Sequence, residues 1–442
     1  MMAVADRLTK AALKQLNRWI VAPYIIKPKK PFFTEIRETI REFISQAEEY
    51  LPRFLTPPPI LGSFPLRELP LTGFIASILP RDLVENLADD DRIEKIFPDA
   101  LMFTLQYPTV PPEGIFETRR ITFTTTFWTK KLVGADEANK QGYTGHGITV
   151  AVVDTGASRI HQQIRDKVEF HTTIPTQYRD ENGHGTWCAT CIGGNLAKDT
   201  YLSRRTKQDV ICEGIAPKCK ILAIKSLGYY IGTGTSSQVI EGIEYAISRK
   251  ANILSMSLGR SEPEEEKPED DPYYYAFEKC EEAGLIPVVA NGNDGPNEGT
   301  VGSPGNMPNC LSVGAWNPIT GNVADFSSRG PTKWGDIKPD CIMPGVDIDS
   351  GTVGLCDLSK DSTISRFSPL SGTSMATPHA SGMLALMAEA YKKKIGKPLT
   401  LAEVKKMLES LQDHPKNNDA GWGVLSWSKI KEWAATEHGV EL

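Results

Sequence analysis

GITVAVVDTG, residues 147–156, is the stretch that decides the fold. From Ile148 to Val153 apolar side chains follow one another almost without alternation. A strand buried on both faces has that pattern, and such strands belong to parallel sheets covered by helices on either side. Asp154 closes the run ahead of a Thr155-Gly156 turn. CKILAIKSLG (219–228), ANILSMSLG (251–259) and LIPVVANGN (285–293) have the same character. Helical periodicity marks SSQVIEGIEYAISRK (236–250), YYAFEKCEEAG (274–284) and MATPHASGMLALMAEAYKK (375–393) between and after them. The alternation predicts an α/β domain with an open parallel sheet and helices on both faces.

Ligands of open parallel sheets bind at the carboxyl ends of the strands, so residues that end strands are the candidates for chemistry. Asp154 offers a shielded carboxylate able to orient an imidazole, although any one D-x-G is more often a plain turn. His184 lies in ENGHGTWCATC (181–191) and admits two readings. It is a catalytic base, or it is a zinc ligand with Cys188 and Cys191, which follow on one helical face but lack a local fourth ligand. Ser374, in SGTSMATPHASG (371–382), enters a helix whose N-terminal dipole favours developing negative charge; an ordinary serine cap has the same appearance.

A chain of 442 residues exceeds what one hydrophobic core usually organises, which points to two domains. Its 40% hydrophobic and 24% charged residues are those of a globular protein, and a net charge of −6 gives no footprint for nucleic acid. No apolar run reaches the ~18 residues of a membrane span. The leading segment MMAVADRLTKAALKQLNRWIVAP intersperses Arg7, Lys10, Lys14 and Arg18 among its apolar residues. It reads as an amphipathic helix and not as a secretory signal, which favours the cytoplasm and leaves export by another route open. All eight cysteines lie from Cys188 onward, mostly in apolar runs, and are expected as reduced, buried thiols.

Residues 21–105 carry a different pattern. VAPYII (21–26) reads as a strand, FTEIRETIREFISQAEEYL (33–51) as a helix with Thr34 at its cap, and PILGSFPLREL (59–69) with LTGFIASIL (71–79) as paired strands. RDLVENLADD (81–90) is helical and RIEKIFPDALMFTL (92–105) strand-like, giving the ferredoxin-like order βαββαβ.

Taken together, Asp154 in DTG, His184 in HGT and Ser374 in GTSMATP, in that chain order, resemble the subtilase family of serine proteases. GIAP (214–217), SMSLG (255–259), ANGNDGP (290–296), FSSRGP (326–331) and KPD…PG (338–345) follow in family order, so the resemblance covers roughly residues 140–435. The Cys188 thiol resembles the proteinase K and thermitase type, where it lies beneath the histidine. The family implies an endopeptidase with Ser374 as nucleophile, His184 as base, Asp154 as its orienting partner and Asn293 as an oxyanion donor. It further implies that Ser257-Leu258-Gly259 and Ala290-Asn291-Gly292 wall the pocket for the residue before the cut. Gly232-Thr233-Gly234 would pair with substrate backbone. No cofactor is required for the chemistry.

Two departures stand out. Arg260 replaces a usual glycine and is followed by EPEEEKPEDD (262–271), which reads as a solvated loop that could also draw basic substrates or hold a cation weakly. Structural calcium is possible, but its usual ligand pattern is not evident: His161-Gln162-Gln163-Ile164 lacks the family's aspartate, and a basic YLSRRTK follows the histidine helix. By resemblance, residues 1–20 are a helical extension, 21–105 a prodomain that assists folding and inhibits, 106–139 a connecting segment opening the mature chain, and 140–442 the catalytic domain. Leu105 would fill the primary pocket with Met102 three subsites back, so self-cleavage is expected at Leu105–Gln106, with Arg119-Arg120 as the alternative. Small pocket walls and Leu105 imply preference for large apolar residues before the cut. The runner-up reading is an inactive subtilase-fold binding protein.

Overall fold

A computed structural model of the chain describes residues 7–18, 21–48, 66–105, 124–228, 231–261, 263–357 and 366–442. Its N-terminal part is an antiparallel sheet of β1 (Val21–Pro28), β2 (Arg67–Leu69), β3 (Phe74–Pro80) and β4 (Ile93–Pro98), in the order β2-β3-β1-β4. Helices Phe33–Glu48 and Arg81–Asp89 complete the βαββαβ layout. The first begins one residue before Thr34, which is therefore inside the helix and not its cap. Helix Lys10–Arg18 joins this domain, because the segment before it bonds along β4 through Thr9 N–H to Ile96 O and Ile96 N–H to Arg7 O. Most of the expected strand 59–69 falls outside the described residues.

The expected strand 92–105 divides at Asp99-Ala100. Its second half, β5 (Leu101–Thr104), leaves the N-terminal sheet and runs antiparallel between two short strands of the other domain. Strand alternation then sorts its side chains: Leu101 and Phe103 are largely exposed, while Met102 is fully buried.

Residues 124–140, most of them expected as connector, form β6 (Thr124–Thr125) and the helices Thr126–Leu132 and Ala135–Lys140, and Val133, Ala135 and Ala138 lie in the C-terminal domain's core. The strands that follow are β7 (Thr149–Asp154), β8 (Val168–Thr172), the hairpin β9 (Ala197–Asp199) and β10 (Val210–Cys212), β11 (Lys220–Lys225), β12 (Thr233–Thr235), β13 (Ile253–Met256), β14 (Leu258–Gly259), β15 (Ile286–Ala290), β16 (Leu311–Trp316) and β17 (Cys341–Pro344). Seven of them make a parallel sheet in the order β17-β16-β15-β13-β7-β11-β8. The quoted stretch supplies β7, with sheet neighbours on both sides and buried from Val150 to Asp154. Helices His184–Gly193 and Thr373–Ala390 pack together in one of the two cores that the sheet separates, and Ser236–Ser248 and Pro272–Glu282 cover the other. Among the described residues no helix is long and apolar enough to cross a membrane.

The N-terminal sheet rests on those last two helices. Ile25, Leu69, Phe74, Ala76 and Phe97 share one buried cluster with Val239, Ile243, Tyr273 and Phe277. The Phe74 and Phe97 rings meet Tyr275 edge-on at 6.1 and 6.0 Å. Polar groups fix the orientation: Thr72 donates to Glu244 Oε1 at 2.7 Å, and Asp99 accepts from Ser237 N–H and hydroxyl at the start of helix Ser236–Ser248.

Candidate active site

Asp154 ends β7, and His184 opens helix His184–Gly193; both are fully buried. The helix can start there because Gly183 has φ +99°, and because a side chain on Gly183 or Gly185 would collide with Val353 O or Gly156 O at less than 2 Å. His184 Nδ1 lies 2.8 Å from Asp154 Oδ1 and 3.0 Å from Oδ2. Since a carboxylate only accepts, Nδ1 carries the proton and Nε2 is left as the acceptor. That Nε2 is buried and has no hydrogen-bond partner.

Ser374 sits in the first turn of helix Thr373–Ala390, fully buried. Its Oγ donates to Ser257 O at 2.9 Å and not to His184 Nε2, while Ser257 Oγ returns a bond to Ser374 O at 3.0 Å. Cys188 Sγ lies 3.9 Å from His184 Nδ1 and 3.7 Å from Ser374 O. Asn293 Oδ1 accepts from Thr373 N–H at 2.9 Å and Thr373 hydroxyl at 2.8 Å. Two donors on the oxygen fix the amide so that Nδ2 is its other end, beside the Ser374 turn.

Strand β5 runs into this site. Phe103, Met102 and Leu101 pair with Thr233, Gly234 and Thr235 of β12, and Thr104 and Phe103 with Leu258 and Gly259 of β14. Thr104 N–H donates to Gly232 O at 3.2 Å and Leu105 N–H to Ser257 O at 3.4 Å. The Leu105 carbonyl accepts the Ser374 N–H at 3.3 Å. A Cβ on Gly259 would stand 3.0 Å from Leu105 Cδ1, so the glycine makes room for the leucine side chain. Asn291 donates to Ser328 O at 2.6 Å and accepts from Ser312 Oγ at 2.8 Å. The structure thus joins Asp154 to His184, sets Cys188 between His184 and the Ser374 turn, and flanks residues 101–104 with Thr233-Gly234-Thr235 and Leu258-Gly259. Gln106 and Arg119-Arg120 lie outside the described residues.

A model of the Subtilase family matches residues 145–423. The chain belongs to the subtilase family. It is 35% identical over 301 residues to "Serine protease AprX" of Bacillus subtilis (strain 168), covering 64% of each chain. It is 30% identical to "Intracellular serine protease" of Paenibacillus polymyxa, over 65% of this chain and 81% of that protein. To "Subtilisin E" of Bacillus subtilis it is also 30% identical, over 65% of this chain and 66% of that one. The chain thus spans about two thirds of the length of two of these relatives.

As a metal centre this subtilase site is poorly furnished. Asp154, His184 and Cys188 bring donor atoms within 4.8 Å, the only such group among the described residues. Nδ1 is already bonded to Asp154, and burial, aided by the Asp154 charge, pushes the Cys188 thiol well above its usual range, away from the thiolate a metal needs. Cys191 belongs to a different place, against His379 Nδ1 at 3.4 Å. The calcium position suggested by resemblance does not fit either. Gln163 turns Nε2 toward Asn195 O and Cys212 O, and the Lys167 ammonium lies among Gly193 O, Asn195 Oδ1 and Pro217 O. Donors of the chain itself occupy these carbonyl oxygens, and the Lys167 ammonium stands where a cation would have to share them.

The acidic run is not simply solvated, contrary to its composition. Glu265 and Asp271 are buried and bracket Arg260 Nη2 at 2.7 and 3.1 Å. Glu264 and Glu266 point outward to Lys14 and Lys10, and Asp270 meets Lys95 at 2.6 Å. The loop therefore bridges the wall beside Leu105 and the N-terminal domain.

Proposed function

We propose that the protein is a serine endopeptidase made as a self-processed zymogen, with its own N-terminal domain as intramolecular inhibitor and proteins or peptides as substrates. The observation that carries this is the bond from Ser374 N–H to the Leu105 carbonyl, at the end of a strand lying in the cleft as a substrate would. Ser374 Oγ forms a bond to a peptide carbonyl carbon at that place while its proton passes to His184 Nε2. Asp154 stabilises the imidazolium. The negative oxygen is met by Ser374 N–H and Asn293 Nδ2. When the C–N bond breaks, His184 returns the proton to the leaving amine, and water then releases the acyl group by the same relay.

Ser374 must first turn its hydroxyl from Ser257 O to His184. The buried, unpaired Nε2 favours this turn, since an unsatisfied polar atom costs about 1–3 kcal/mol. The position of Leu105 supports cleavage at Leu105–Gln106 and preference for large apolar residues before the cut. Eight free, buried cysteines support a reducing compartment, in keeping with the name of the Paenibacillus relative. Treatment of the processed protein with a fluorophosphonate tests the reading: a single adduct on Ser374 is expected, and an adduct elsewhere, or none, contradicts it. A peptide library should favour Leu-like residues before the cut; strict selection of Arg or Asp there contradicts the pocket assignment.

A further inference from the structure

The residues that hold Asp154 and His184 together form a closed hydrogen-bond circuit that the reaction above does not use. Its centre is Asp180, four residues before His184 and only 8% exposed. Asp180 Oδ1 accepts from Gly183 N–H at 2.8 Å and Thr155 hydroxyl at 2.9 Å, and Oδ2 from Thr186 N–H at 2.9 Å and Thr186 hydroxyl at 2.6 Å. Each threonine oxygen then accepts a backbone N–H from the opposite segment. Gly185 N–H donates to Thr155 Oγ1, and Ser158 N–H donates to Thr186 Oγ1, both at 2.9 Å.

The logic is one of polarity. All four groups on Asp180 are donors, so both hydroxyls give it their protons and are left as acceptors across the gap. Two segments are stitched reciprocally in this way: 155–158, which follows Asp154, and 183–186, which carries His184. From the far side the fully buried Lys225 ammonium holds Thr155 O at 3.0 Å and Glu181 Oε2 at 3.0 Å. We propose that Asp180, acting through Thr155 and Thr186, is a positioning residue that keeps Asp154 and His184 in productive register. This rests on the peptidase reading above. Its carboxylate makes no hydrogen bond to strand 101–105, so its effect falls on the chemical step and not on substrate binding.

The test compares Asp180→Asn, Thr155→Val and Thr155→Ser with wild type on a peptide substrate. Asp180→Asn replaces one acceptor oxygen by a donor, and Thr155→Val deletes one hydroxyl while keeping the shape. Both are expected to lower kcat by about 10- to 100-fold with KM nearly unchanged, the size of loss that small misplacement of reacting groups produces. Thr155→Ser restores most of it. In full-length Ser374→Ala protein, the low-field proton resonance of His184 Nδ1–H should be sharp, and broadened or lost when Asp180→Asn is added. Should Asp180→Asn fail to fold, Thr155→Val against Thr155→Ser makes the same comparison. Wild-type kcat and an unchanged resonance in Asp180→Asn or Thr155→Val overturn the inference. A wild type without peptidase activity overturns the functional reading instead, and the resonance still decides the positioning role.

Discussion

Met102→Ala tests how the N-terminal domain is held in the cleft. Met102 is fully buried in a cluster with Leu227, Val239 and Leu258, whereas its neighbour Leu101 is 47% exposed. Truncating a buried methionine to alanine costs about 2–5 kcal/mol, of which the contact across the interface is the part lost to binding. At about 1.4 kcal/mol per tenfold, a loss of about 2 kcal/mol across the interface weakens retention of the cleaved domain roughly 30-fold. Leu101→Ala removes a side chain that is half in solvent and should change retention only slightly. The assay is the time course of peptidase activity after processing, with size-exclusion chromatography to follow departure of the N-terminal fragment. Met102→Ala should shorten the latent phase by about 30-fold relative to wild type, and Leu101→Ala should not. Equal effects, or a longer latency for Met102→Ala, would refute the claim that alternate side chains of residues 101–105 anchor the inhibitor.

Three further outcomes are expected. Cys188→Val should keep activity but lose most of its sensitivity to a mercurial, because the thiol touches the histidine without taking part; an inactive variant together with stoichiometric zinc in wild type would restore the metal reading. Burial lowers His161 and His379 to about 4, so both enter the fold neutral. The unfolded chain binds more protons below the ordinary value near 6.5, and stability should therefore fall as pH drops from about 6.5 toward 4. The loss is of order 2 kcal/mol per histidine by pH 5. His379→Gln should flatten the slope of Tm against pH, and an unchanged slope contradicts the assignment. Lys95→Glu should hasten loss of the N-terminal fragment, Asp270→Lys should reverse this, and high salt should erase the difference; indifference of all three would mean that the acidic loop does not hold the domain.

Strand β7 was legible because a central strand buried on both faces has nothing but apolar residues to show. β16 and β17 were not, since their buried polar and small residues, Ser312, Gly314 and Pro344, interrupt the pattern while serving the interior: Ser312 Oγ bonds Asn291. Asp154, His184 and Ser374 were visible as motifs, because the groups proposed as orienting carboxylate, base and nucleophile are flanked by glycines and helix starts that leave a local trace. Asp180 left none. Its role lies in four donors gathered from two segments, and DENG alone reads as a turn. The acidic run misled for a related reason: Glu264, Glu265 and Glu266 are identical in composition, yet the middle one turns inward to Arg260 and the outer two face Lys14 and Lys10. The break of strand 92–105 at Asp99 was hidden likewise, its cause being Ser237 of another domain.

The most direct measurement is intact-mass spectrometry of the purified wild type beside Ser374→Ala. The account predicts a mature wild-type chain beginning near Gln106 and a Ser374→Ala chain that stays at full length, because the nucleophile makes the first cut in its own N-terminal segment. Identical processing of both chains would contradict it.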